Sequence, residues 1–319
     1  MAITKSLAED IYRKMYSIRR FEEKVEELFA AGDLPGFVHL YLGQEACAVG
    51  VCANLKPQDY ITSTHRGHGH CIAKGGALDR MMAELFAKKT GYNKGKGGSM
   101  HLASTDIGIL GANGINAGGM PLAVGAALSA KLQKNGRVAV SFLGDGASNQ
   151  GTFHESLNLA AALGVPVVFV CENNQFAVGT RISDSTKISD IAKRAAGYGM
   201  PGVVADGMNV VKVYDAAAGL IDAARAGKGP ALLELKTWRY RGHFQGEPAT
   251  YRTREEEAEW LKKDPLSISA SVLFELKLLD AARVAEIEKE VAADLARAVD
   301  FARSSPFPEP ADALLDVFA

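Results

Sequence analysis

Between Leu7 and Phe29 the apolar residues Leu7, Ile11, Met15, Ile18, Val25, Leu28 and Phe29 recur mostly at intervals of three and four. That period predicts an N-terminal helix with one buried face, about residues 5–31. The stretch from Gly32 to Gly119 is dense in glycine and histidine, with turn-like islands at 65–70 and 94–98 and a short helical pattern over 78–88. It reads as loop-dominated. From Met120 to Lys131 an alanine-rich helix precedes an apolar run, Val138 to Leu143, that stops at Gly144-Asp145-Gly146. A helix over about Thr152 to Leu163 then leads to a second apolar run, Val165 to Cys171, ending at Glu172-Asn173-Asn174. Two such runs joined by a helix predict parallel strands in a crossover unit, with helices on both faces of the sheet.

The pattern repeats with a short strand at 202–205, a helix at 210–226 and a strand at 231–237. Thr253-Arg254-Glu255-Glu256 has the spacing of a capping box, and Val284, Ile287, Val291, Leu295 and Ala298 mark an amphipathic C-terminal helix. The proline-rich stretch 306–310 is expected to leave the domain. No repeat or low-complexity linker interrupts the chain, which predicts a single domain over 1–319 with an N-terminal helix and a helical tail over about 253–319.

The hydrophobic content of 47% can fill a substantial core, and 36 basic against 37 acidic side chains leave a net charge of −1. No global field favours nucleic acid or an anionic membrane, so neither is an expected partner, and a small-molecule substrate is. Cys47, Cys52, Cys71 and Cys171 lack metal-type spacing and stand in apolar surroundings, which predicts buried, reduced thiols. The first residues lack the apolar core of a signal peptide and no uncharged span is long enough for a bilayer, so a cytoplasmic location is expected.

The chemistry concentrates where the two predicted parallel strands end. Ligands of open α/β sheets bind beyond the carboxyl ends of strands. A glycine-flanked turn entering a helix can present peptide N–H groups to an anion. Asp145 in such a turn would repel a diphosphate unless a cation lay between them, and magnesium favours a carboxylate together with phosphate oxygens. Asn174, at the tip of the next strand, offers a neutral amide ligand, and the Phe176 carbonyl a third.

The segment GDGASNQGTFHESLNLAAALGVPVVFVCENNQFAVGT, 144–180, resembles the thiamine diphosphate and magnesium signature, GDG followed about thirty residues later by NN. GFVHLYLGQEA (36–46), THRGHGH (64–70), KGKGGSMH (94–101), NGINAGGMPLAVG (113–125) and WRYRGH (238–243) extend the likeness to alpha subunits of the pyruvate, branched-chain 2-oxo acid and acetoin dehydrogenase complexes. The resemblance implies an α/β thiamin diphosphate-binding fold, a central parallel sheet with helices on both faces and N- and C-terminal helical extensions. It puts magnesium on Asp145, Asn174 and the Phe176 carbonyl, and the diphosphate on the Gly146 and Ala147 amides. Arg66 and His243 would lie at the diphosphate and the active-site mouth, Gly114 and Asn116 against the aminopyrimidine, and His39 near the substrate.

Plainer roles are open to several of these residues. His39 and His243 could be buried rings satisfied by the backbone, and Lys94 and Lys96 could be solvated beside glycines that only serve turns. Arg239 could help neutralise a diphosphate or pair with a carboxylate. The chain has length for the diphosphate-binding domain alone, whereas the glutamate that activates the cofactor comes, in the superfamily resembled, from a pyrimidine-binding domain. The resemblance therefore implies a beta subunit, an α2β2 heterotetramer and a lipoyl-bearing acyltransferase core.

GHFQGEPATYRTREE and THRGHGH look more like acetoin than pyruvate dehydrogenase alpha subunits. A pyruvate dehydrogenase alpha subunit is the alternative, and the N-terminal half of a split transketolase a lesser one. Phe244 follows His243 where eukaryotic pyruvate enzymes place a phosphorylated serine. His65 stands where 2-oxo acid enzymes usually have tyrosine. Acetoin cleavage needs a proton acceptor, so His65, or failing it His39, is expected to serve as a base with a pKa near the operating pH, or else to hold diphosphate as the tyrosine would.

Overall fold

Alternate residues of the central strands feed two different hydrophobic cores. In the computed structural model, which describes residues 3–316, Val140, Phe142, Val168, Val170, Leu233 and Leu235 enter one cluster. Ala139, Leu143, Val167, Phe169, Cys171 and Leu232 enter the other. A sheet covered on both faces needs apolar residues at both parities, which is why these strands read as continuous apolar runs.

The strands are β1 Tyr60–Thr64, β2 Ile109–Asn113, β3 Ala139–Gly144, β4 Val167–Asn173, the short antiparallel pair β5 Phe176–Ala177 and β6 Thr180–Arg181, β7 Gly202–Asp206 and β8 Ala231–Lys236. Six of them form one parallel sheet in the order β2-β1-β3-β4-β8-β7. The expected α/β architecture is therefore present. From β1 the chain moves outward to β2, then returns across β1 to β3. Successive connections thus diverge between β1 and β3, and such a switch point opens a ligand crevice at the carboxyl ends of the strands. The register of β3 on β4 sets Gly144 opposite Glu172, so the GDG turn and the ENN turn emerge side by side.

One core takes helices Lys5–Ala30, Glu45–Cys52, Val210–Arg225 and Ala281–Ser304, the other Gly119–Gln133 and Gly151–Leu163. The N-terminal helix starts where Thr4 accepts from the Leu7 N–H, and buries Ile11, Met15 and Ile18 completely. Thr253 caps a helix over Arg254–Leu261, one half of the capping box that its spacing predicts, while the Glu256 side chain pairs with Arg181 instead, and Asp280 caps the long C-terminal helix. All four cysteines are free and buried, and burial raises their thiol pKa values. Among the described residues no helix is long and apolar enough to cross a membrane.

One expectation needs an addition and another a correction. The region 32–119 is loop-dominated as expected, yet it also supplies β1, β2 and helices Glu45–Cys52, His68–Lys74 and Leu78–Leu85. β1 reads YITST and the His68–Lys74 helix holds two buried histidines, so neither carries an amphipathic period. The proline-rich stretch does not leave the fold. The Pro306 carbonyl accepts from the Lys89 N–H at 2.9 Å, and the Lys88 ammonium lies 3.5 Å from the Phe307 ring centre. Lys89 then pairs with Asp312, and Lys94 and Lys96 with Asp316, pinning the tail to the 88–96 loop.

Candidate active site

A cavity opens at the switch point. Its wall is built by Ser63–Arg66 at the end of β1, Gly144–Ala147 at the end of β3, Glu172, Asn174 and Phe176–Val178 at and beyond the end of β4, and Arg239 and His243 beyond β8. Asn113, Ile115 and Asn116 close the β2 side. Of the expected site residues, His65, Arg66, Asn116, Asp145, Gly146, Ala147, Asn174, Phe176 and His243 all lie on this wall. Gly114 sits just outside it, exposed between two wall residues, where an added Cβ would meet the His101 ring at 3.5 Å. His39 lies behind the wall, buried against His65 and His243.

The floor fits a cation. Asp145 is only 1% exposed, and its Oδ2 has no hydrogen-bond partner among the described residues. Burial raises its pKa to about 6, against the opposing pull of its own and the Gly146 peptide N–H groups and Arg239. A buried carboxylate with an idle oxygen costs free energy that a metal ligated there would offset. The Asn174 amide is held by the Gln44 side-chain oxygen at 3.1 Å, while its own oxygen accepts from the Phe176 N–H at 3.3 Å. The two glycines differ: a Cβ on Gly146 would strike the Ala177 Cβ at 2.4 Å, whereas one on Gly144 would meet nothing within 4 Å.

The rim is cationic and aromatic. Arg66 is buried, with one amino group on the Leu40 carbonyl and the other on the His243 carbonyl. Burial and then Arg239 lower its pKa to about 9. Arg239 donates to the Arg241 and Val178 carbonyls and the Tyr251 hydroxyl, and among the described residues it pairs with no carboxylate. His39, His65 and His243 cluster with ring centres 4.8, 5.2 and 5.1 Å apart. Burial, then the Arg66 charge, lowers their pKa values to about 3, 2 and 4 respectively. The rings are therefore neutral, and the expectation of a pKa near the operating pH for His65 is not met.

Several positions of the candidate site had no sequence signal strong enough to name them. Gln44 is buried beside Asn174, and Glu172 lines the floor. Glu172 accepts from the Tyr41 hydroxyl and contacts His70 Nε2 at 3.0 Å, and His70 Nδ1 lies 2.7 Å from the Ser63 hydroxyl. A carboxylate ending an otherwise apolar strand was the available hint for Glu172. The loop after β8 is braced by Trp238, which stacks on Trp260 at 5.2 Å and meets the Phe176 ring edge-on at 5.6 Å. The Phe37 and Phe244 rings meet at the rim, both partly exposed.

Residues 13–311 match the family described as "Dehydrogenase E1 component". The chain is 52% identical to the alpha subunit of an acetoin:2,6-dichlorophenolindophenol oxidoreductase of Bacillus subtilis, covering 100% of this chain and 95% of that one. It is 48% identical to the protein of the same description from Cupriavidus necator, over 97% and 93% of the two chains. A pyruvate dehydrogenase E1 component subunit alpha of Zymomonas mobilis is 42% identical over 94% and 85%.

Proposed function

The chain belongs to the dehydrogenase E1 component family, and we propose that it is the alpha subunit of a thiamine diphosphate-dependent acetoin dehydrogenase. The observation that carries the substrate is the imidazole of His65 on the cavity wall, against His39 and His243. Greater identity to the two relatives named for acetoin than to the one named for pyruvate supports it. Thiamine diphosphate, when bound, supplies a carbon nucleophile that adds to a carbonyl and holds the electron pair released when the neighbouring C–C bond breaks.

The chain's own residues bind and orient. Asp145, the Asn174 side-chain oxygen and the Phe176 carbonyl would hold magnesium, an all-oxygen set suited to that ion. The Gly146 and Ala147 amides and the remaining Arg66 donors serve the diphosphate, with Asn116 and, at the rim, Gly114 toward the aminopyrimidine. Cleaving acetoin to acetaldehyde requires the hydroxyl beside the breaking bond to release its proton. His65 accepts it at a ring nitrogen, with His39 behind and His243 beside it to hold the substrate oxygen. Burial is the larger cause of the low pKa of these rings, and an anion next to Arg66 offsets the second, the Arg66 charge, which makes them better bases. Loss of CO2 from a 2-oxo acid needs no such acceptor, so a pyruvate dehydrogenase alpha subunit is the second reading, favoured by the Zymomonas mobilis relative.

The chain acts as one diphosphate-binding unit and takes its activating glutamate from a beta subunit in an α2β2 heterotetramer. The acetyl group passes to a lipoyl-bearing acyltransferase. The test is a reconstituted complex assayed with an artificial electron acceptor against acetoin, pyruvate and branched 2-oxo acids. Acetoin turnover should dominate, and His65→Tyr should lower it by about 10²- to 10⁴-fold with cofactor affinity little changed. Preferred turnover of pyruvate by the parent would reject acetoin, and undiminished acetoin turnover in the variant would reject His65 as acceptor.

A further inference from the structure

The three histidines of the rim come from three separate segments: His39 before the Glu45–Cys52 helix, His65 beyond β1 and His243 beyond β8. One ring nitrogen from each lies within 4.8 Å of the other two. Their hydrogen bonding is thin. Among the described residues His39 Nδ1 is buried without a hydrogen bond, on a residue that is 7% exposed. His243 Nδ1 lies 3.5 Å from an Arg239 amino group, too long for a good hydrogen bond. A buried polar atom left idle costs about 1–3 kcal/mol, so the idle nitrogen of His39 points to a ligand that the cluster binds.

We propose that His39, His65 and His243 form a binding site for a zinc-class transition-metal dication, with its fourth coordination position open to the cavity. Three imidazoles and one open position are the ligand set of an accessible zinc centre. Zinc–nitrogen bonds of about 2.0–2.1 Å set ligand nitrogens roughly 3.4 Å apart. The rings must therefore close in slightly, which the broad side-chain torsion of histidine allows. All three rings are already in the neutral form that ligates a metal. Softness sorts the cations: nitrogen ligands at the rim favour zinc, while the Asp145, Asn174 and Phe176 oxygens favour magnesium.

Arg66 and Arg239 oppose a dication at the rim. A diphosphate in the cavity offsets them, so metal uptake is expected to be tighter in the cofactor-loaded complex than in the chain alone. A metal seated there occupies the substrate's place, and zinc inhibition competitive with substrate follows. The site itself stands or falls independently of which substrate the enzyme takes.

The test uses the assembled complex saturated with thiamine diphosphate and magnesium, titrated with zinc and read by zinc X-ray absorption. One zinc per alpha chain with three imidazole nitrogens in its first shell is expected. His39→Gln, His65→Gln and His243→Gln should each weaken zinc binding by about 100-fold or more, since loss of a ligand exceeds the 10–100-fold cost of losing a ligand's support. His154→Gln, on an exposed helix surface, should leave it unchanged. A first shell of oxygens alone, which would put zinc in the magnesium site, or one containing cysteine sulfur, overturns the proposal without recourse to any variant. So does equal zinc affinity in the parent and the three rim variants, their fold checked by near-ultraviolet circular dichroism.

Discussion

Two buried carboxylates, Glu84 and Asp145, meet opposite fates in this fold. Glu84 is fully buried and fully satisfied: it accepts from the peptide N–H groups of Asn93 and Gly95 on one oxygen and of Gly97 and Gly98 on the other, at 2.7 to 3.1 Å. Asp145 is as deeply buried, yet one of its oxygens has no partner. The glycine- and lysine-rich KGKGG loop looks more like an anion nest than the GDG turn does, and it is one, but its anion is the protein's own glutamate. Lysines 94 and 96 are spent on the tail. A glycine-rich loop therefore marks a backbone that turns tightly. The unsatisfied polar atom marks the ligand.

Removing each carboxylate should break the symmetry between them in opposite directions. Glu84→Ala strands four partly buried N–H donors and should cost about 4 kcal/mol of stability, measured by denaturant unfolding. Persistence of parental stability in that variant would show that the nest is not structural.

Asp145→Asn should do the reverse. With a folded pKa of about 6 and an unfolded value of about 3.9, the folded metal-free protein binds more protons than the unfolded chain between those limits. Stability therefore falls as pH rises from 4 to 6 and stays lower above, by up to about 3 kcal/mol. The asparagine variant should lose that slope and equal or exceed the metal-free parent at neutral pH, while magnesium-dependent cofactor affinity drops by orders of magnitude in calorimetry. Unchanged cofactor affinity would remove Asp145 from the metal site.

The smallest effect expected is at the outer edge of the nest. Lys94→Ala and Lys96→Ala break ion pairs with Asp316 that are open to solvent, and each should change stability by less than about 1 kcal/mol. A loss comparable with that of Glu84→Ala would mean that the tail, and not the carboxylate, holds the loop.

What the sequence shows of this molecule follows from how local the cause is. β3, β4 and β8 are apolar at both parities because two cores need them, and their positions are legible within a residue or two. β1 and β2 are not: Thr62 earns its place by bonding Ser141 across the strands, a contact that no local pattern announces. The His68–Lys74 helix is held by His68 on Glu22 and His70 on Glu172, partners 46 and 102 residues away. At the site, Asp145 and Asn174 are legible because strand ends punctuate them. Gln44 reaches Asn174 across 130 residues and is invisible until the chain is folded. The tail was misread because proline content describes a backbone's stiffness and says nothing of the cations waiting beneath it.

The braced loop after β8 has one more consequence. Trp238 and Trp260 are the two tryptophans of the chain, and their rings lie nearly parallel, 7° apart, with the Phe176 ring against the inner one. The whole intrinsic indole emission thus arises from one stacked pair bordering the turn that carries the Phe176 carbonyl. Any shift of that turn changes the overlap of the pair and hence its emission, so filling of the cavity can be timed on the native, unlabelled protein.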